Sequence, residues 1–273
     1  MRLASTLFAL ACGLLACSDS SDGDPPGIGD CTGASCLDPG TSSSAGGSSG
    51  ASGQAGASGQ AGQGGEVSIR GTVQQITDTA FTQKALFIEG ATVSAKQAGL
   101  DPATFTTLQE GAFTLDHVFV GEGWLRARAS NDGVLTLGGY RVITTRAGTN
   151  DDFEAYVVDR QVMVSILAAL PAPTVLTDSA AHAVLDFVDA QGAPVPGVRV
   201  AVNNLTGAVV VGDNGPDYGD NPTSVRGKIL VLNFTATSSA EVVCTFPADP
   251  TRPVTLALPN EASTVTFMTV RVP

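Results

Sequence analysis

The sequence predicts an all-β protein: two tandem β-sandwich domains joined by a short helix, behind a long N-terminal segment that cannot fold on its own. Three observations predict it. From residue 66 onward, short runs alternate apolar and polar residues, the period of half-buried strands. Clusters of Gly, Asn, Asp and Pro separate these runs at spacings that suit a sandwich. The plan of the first half then returns in the second. Gly90-Ala91-Thr92-Val93-Ser94-Ala95 matches Gly197-Val198-Arg199-Val200-Ala201-Val202, and Gly111 with Phe113 is echoed by Gly227 with Ile229.

Taken in order, the chain begins with a basic start, Met1-Arg2, and an apolar run from Leu3 to Leu15 that is too short to span a bilayer. With small residues leading to a Cys, this reads as a secretory signal. Leu14-Leu15-Ala16-Cys17 resembles the lipobox of bacterial lipoproteins. The resemblance makes residues 1–16 a lipoprotein signal peptide and Cys17 the lipidated first residue of the mature chain. An ordinary secretory signal and lipidation at Cys12 are the competing readings. Several acyl chains at about 0.8 kcal/mol per buried methylene anchor stably where one does not. By the same resemblance, Ser18 after the Cys, rather than Asp, fits sorting to an outer membrane, so the expected location is lipid-anchored there, at the cell surface or facing the periplasm.

Residues 17–65 form a low-complexity linker. Asp19, Asp22, Asp24, Asp30 and Asp38 lie among Ser, Gly and Pro, and Gly50-Ala51-Ser52-Gly53-Gln54-Ala55 returns as Gly56 to Ala61. No bulky apolar residue occurs from Gly40 to Gly65, so nothing offsets the entropy of ordering. As a Gly/Ser-type coil it would reach roughly 40 Å. Cys31 and Cys36 lie in it at C-x4-C spacing; an oxidising envelope favours a disulfide between them, and two thiols without His nearby are a poor metal site.

The first sandwich domain is expected over residues 66–158. Val67, Ile69 and Val73 share one face of its first strand, and further strands are expected at Thr92 to Ala95, Ala112 to Leu115, Trp124 to Ala129, Gly139 to Thr145 and Phe153 to Val158. Residues 159–180 are expected to connect the halves. Asp159 caps a helix carrying Val162, Met163, Ile166, Leu167 and Leu170, which Pro171 stops. The second domain, 181–273, has strand candidates at Ala183 to Asp189, Val198 to Val202, Leu230 to Phe234, Val242 to Phe246, Val254 to Leu258 and Val265 to Val272.

Gly90-Ala91-Thr92-Val93, then Gly111-x-Phe113-x-Leu115-x-x-Val118-x-x-Gly121 and Leu125-Arg126-Ala127, is similar to the carboxypeptidase regulatory-like domain, a transthyretin-like β-sandwich. Asp189-x-x-Gly192-x-Pro194-x-x-Gly197-Val198-x-Val200 resembles the opening of the same module, or of a bacterial Ig-like repeat. These motifs describe turns and core strands, so they imply a fold and are silent on activity. The second copy departs from the pattern after Val202, where Gly207 to Pro222 is longer than expected.

Net charge is −12 and the pI near 4.4, which repels phosphate backbones and disfavours nucleic acid as a partner. The only histidines, His117 and His182, lie in separate halves, and neither has Glu three residues on. Ser is abundant only in the linker, where no strained strand-to-helix turn could expose a nucleophile, and no phosphate-binding glycine motif follows a strand, so no enzyme is expected. Cys244 sits on one strand face with Val242 and Phe246, as a small buried hydrophobe would.

Two features invite a binding hypothesis. If Leu125, Ala127 and Ala129 face the core, Trp124, Arg126 and Arg128 share the opposite face as a candidate glycan platform. The competing reading is that Trp124 covers a neighbouring loop or the second module. Asp213, Asp217 and Asp220 lie in a Gly-rich loop whose oxygens suit Ca²⁺, against the plainer reading of a solvated acidic turn. No other cofactor is expected. The expected function is a non-catalytic, lipid-anchored envelope protein with binding or structural sandwich modules and a glycan as candidate ligand. The alternative is a structural component that docks an envelope protein.

Overall fold

A computed structural model describes residues 65–272 except 88–89, 98–99, 101–102, 108–110, 130–133, 216, 220–221 and 237–239. The signal peptide, Cys17, Cys31, Cys36 and Asp220 lie outside the described residues. Among the described residues the fold is β throughout, with one helix. The first half contains β1 (Glu66–Ile76), β2 (Lys84–Leu86), β3 (Ala91–Lys96), β4 (Ala103–Thr106), β5 (Ala112–Phe119), β6 (Gly121–Ala129), β7 (Thr136–Thr145) and β8 (Asn150–Asp159). After α1 (Arg160–Ala169) come β9 (Ala181–Val188), β10 (Arg199–Asn203), β11 (Val209–Asn214), β12 (Asp217–Gly219), β13 (Lys228–Phe234), β14 (Ala240–Thr245), β15 (Val254–Leu258) and β16 (Thr264–Arg271).

In the first half, β1 pairs antiparallel with β5 and parallel with β8, forming one layer. The other layer runs β4-β3-β6-β7. Ile69, Val73, Phe113, Leu115, Leu125, Ile143, Phe153 and Val157 fill the space between, so the alternation read along β1 and β6 does put its apolar set inside. In the second half, β9 pairs antiparallel with β13 and parallel with β16, and β10-β14-β15 forms the facing layer. Phe187, Ile229, Val231, Val242, Cys244, Phe246, Leu256 and Met268 lie between them.

The two halves therefore repeat one plan, β1, β3, β5, β6, β7 and β8 corresponding to β9, β10, β13, β14, β15 and β16. The repeat extends to single hydrogen bonds. Val73 N donates to Gly111 O at 2.9 Å and Phe87 N to Val73 O at 3.0 Å; in the second half Phe187 N donates to Gly227 O at 2.7 Å and Val195 N to Phe187 O at 2.9 Å. The long stretch after Val202 is an insertion, the β11–β12 hairpin, which pairs onto β13 and lengthens that layer.

The halves are fused. β16 pairs parallel with β7, from Thr264 opposite Gly138 to Phe267 opposite Arg141, so the second layer of the first half and the first layer of the second become one sheet. α1 completes the weld. Asp159 caps it by accepting the Gln161 N–H at 2.8 Å, and Val162, Met163, Ile166 and Leu167 are buried. The sequence suggests a connector; the structure also makes this helix part of a third core. Its apolar face packs with Val184, Leu230, Leu232 and Val265 of the second half and with Ile76, Phe81, Leu137, Tyr156 and Val158 of the first. A four-residue apolar face is too large to leave in water, and the back of the fused sheet is where it can be buried.

Candidate functional site

Along β6, Leu125, Ala127 and Ala129 enter the first core while Trp124, Arg126 and Arg128 stand on the opposite face, half-buried. The register of the sheet supplies their neighbours. On β3, Lys96 lies opposite Trp124, Ser94 opposite Arg126 and Thr92 opposite Arg128; on β7, Tyr140 lies opposite Arg126. Trp124 packs against the core of the second half and meets Tyr140 edge to face, with ring centroids 6.3 Å apart.

Glu261, in the connection from β15 to β16, reaches across to this face. Its carboxylate ion-pairs with Arg126, with Arg128 at 3.2 Å and with Lys96 at 3.5 Å, and accepts the Tyr140 hydroxyl. Lys96 also donates to the Tyr140 oxygen at 2.8 Å and lies over its ring. Burial, and then the Glu261 carboxylate beside it, push the Tyr140 phenol well above its ordinary pKa, so it stays a donor. The structure thus keeps the three residues singled out on β6 together and adds Lys96, Tyr140 and Glu261. Sequence alone could not have found Glu261, which is 135 residues from Arg126. Lys96 could be found only once the β3–β6 register is known.

In the acidic loop Asp213 is buried, and its carboxylate accepts the backbone N–H groups of Ser224 (2.9 Å), Arg226 (2.8 Å) and Lys228 (2.9 Å). Three N–H dipoles converge on these oxygens, so Asp213 anchors the loop leading into β13. Asp217 is exposed on β12. Among the described residues no group of three or more His, Cys, Asp or Glu is arranged to hold a metal ion.

The remaining chemistry-bearing side chains are dispersed. His117 is exposed and paired with Glu66 at 2.7 Å, which raises its pKa through that hydrogen bond and charge. His182 is fully buried: its Nδ1 accepts the Asn233 N–H at 3.1 Å, its Nε2 has no partner, and burial lowers its pKa to about 4. Cys244 is the small core residue the strand pattern implies, its thiol pushed up to about 12 by burial. No helix of the described residues is long and apolar enough to cross a membrane.

No protein-family model matches the chain, and no curated protein matches it. Solved structures similar to it include the Bacillus anthracis TIE protein, at 10% identity over 75% of this chain and 33% of that one, with a TM-score of 0.25. A minor pilin of Streptococcus agalactiae matches at 11% identity over 75% of this chain and 97% of its own, TM-score 0.24. The shaft pilin SpaA of Lactobacillus rhamnosus GG matches at 8% over 77% and 98%, TM-score 0.22. The chain spans a third of the length of the Bacillus protein. At such TM-scores the likeness carries no role from those proteins to this one.

Proposed function

We propose that the protein is a non-catalytic, lipid-anchored component of a bacterial cell envelope that holds one fused β unit at the end of a Ser/Gly-rich linker. The observation that carries this reading is the order of the chain: the lipobox-like Leu14-Leu15-Ala16-Cys17, then the Ser/Gly-rich linker, then the fused sandwich pair. Protease shaving of intact cells, with and without Cys17→Ala, tests it. Before protease is added, the uncut chain should stay with membranes in wild type and become soluble in the variant. Equal partitioning of both would overturn the anchor. Protease release of a fragment beginning near Glu66 from intact cells would put the unit outside, and protection until the outer membrane is opened would put it in the periplasm.

Two modes of action follow. Glycan binding is supported by Trp124, Arg126 and Arg128 sharing one face with Lys96, and predicts glycan binding that Trp124→Ala abolishes in a protein that remains folded by circular dichroism. Docking of an envelope protein is supported by Glu261 already engaging both arginines, and predicts a stoichiometric cross-linked partner that Trp124→Ala leaves in place.

A further inference from the structure

We propose that the corner where the two halves meet is a carboxylate-binding site which Glu261 fills in cis, and that the uronate of an acidic glycan is the ligand that exchanges for it. The inference rests on the glycan-binding reading and names the class of glycan. Two guanidinium groups, an ammonium and a phenol from β3, β6 and β7 converge on one carboxylate contributed by the other half. Arginine forks match carboxylates in geometry as well as charge, so the corner selects that group.

Exchange requires only the Glu261 side chain to turn. Its backbone is fixed by the Thr264 hydroxyl on its carbonyl at 2.6 Å and by the Asn260 amide on Ala236 O at 2.6 Å. Asn260 and Ala262 on either side are exposed, which leaves solvent for the displaced carboxylate. The rim is open, with the Lys96 and Arg128 side chains 44% and 39% exposed. Arg126 Nε is buried without an acceptor, so Glu261 leaves one donor of the cluster unsatisfied. Beside Arg128, β3 presents the exposed Thr92, whose hydroxyl suits the hydroxyls of a sugar better than an apolar peptide side chain. The surrounding acidic chain, at −12, selects a short uronate over a dense polyanion.

Titration calorimetry of the full mature chain with trigalacturonate, maltotriose and acetate tests this. Glu261→Gln keeps the shape and removes the competing charge, and should bind trigalacturonate about tenfold more tightly than wild type, as a removed competitor requires. Adding Lys96→Gln, at the exposed rim, should reverse the gain. No gain in Glu261→Gln, or a gain indifferent to Lys96→Gln, would overturn the proposal. An equal gain for acetate would keep the carboxylate site and overturn the glycan as its ligand. Maltotriose binding that depends on Trp124 but not on Glu261 would leave the glycan reading standing and this proposal refuted; no saccharide binding by any variant would remove both.

Discussion

Thr107 and Thr223 make the same pair of hydrogen bonds in the two halves of the chain. The Thr107 hydroxyl accepts the Ala91 N–H at 2.7 Å while its own N–H donates to Ala91 O at 2.7 Å; Thr223 does the same with Val198, at 2.9 Å and 2.9 Å. Each stands four residues before a left-handed glycine, Gly111 or Gly227. Both threonines are buried, and Thr223 also donates to Val195 O at 2.8 Å. Thr223→Val keeps the shape but strands the buried Val198 N–H, at a cost of about 1–3 kcal/mol. Thr107→Val should act in the same direction. Both should lower the urea midpoint without changing the slope, and an unmoved midpoint would show that the repeated bonds carry no net stability.

Gly227 has φ +61, and a Cβ there would meet Phe187 O at 2.5 Å and Val195 N at 2.9 Å. Both are backbone atoms of the repeated hydrogen-bond pattern and cannot swing aside. Gly227→Ala should therefore cost about 3 kcal/mol or more, combining strain with a clash. Gly192, with φ +81 and nothing within 4 Å, supplies the control: Gly192→Ala should cost only about 1 kcal/mol, the left-handed strain alone. Equal losses in thermal unfolding would contradict the close approach at Gly227.

Asp213 holds three loop amides, with Oδ1 accepting from Ser224 and Lys228 and Oδ2 from Arg226. Asp213→Asn removes the charge and turns an amide group toward an N–H, which should cost about 2–3 kcal/mol. Millimolar calcium should leave the melting temperature of wild type unchanged. A calcium-dependent rise that Asp213→Asn abolishes would establish the metal reading of this loop.

His182 makes stability fall in acid. Its folded pKa, near 4, lies below the ordinary 6.5 because burial, and then the Arg160 charge, disfavours the imidazolium. Between those values the unfolded chain binds the extra proton, so the stabilisation is fully present above pH 6.5 and is lost as pH falls toward 4, about 3 kcal/mol in all. The difference between the stability–pH curves of wild type and His182→Gln isolates this component from the carboxylates. Parallel curves over that window would mean that His182 titrates normally.

Strands with one buried and one wet face were legible, because their period is written in the residues: Ile69 and Val73 on β1, Leu125 and Ala127 on β6. The internal repeat was legible through Gly90 and Gly197, both left-handed at the start of a strand, and through Gly111 and Gly227. β2 was not, since Lys84, Ala85 and Leu86 are all exposed and leave no alternation to read. The fusion of β7 to β16 was not legible either; β7 is buried on nearly its whole length and β16 on most of its first half, and a parallel partner far along the chain leaves no local mark. The same holds at the site. Trp124, Arg126 and Arg128 could be placed on one face by alternation, but their acid comes from Glu261 across the fused sheet. Asp213 was read by its charge, and its role is set by amides that the sequence does not display.

β1 enters the fold at Glu66, opposite Phe119, and then runs parallel to β8 and antiparallel to β5 over most of its length. A tug on residue 65 directed outward along that strand loads these ladders in shear, with many hydrogen bonds sharing the force, whereas a peeled hairpin gives way one bond at a time. The attachment point is thus the end of a central strand rather than a frayed edge, and traction along the linker would be carried by the first sandwich without unzipping it.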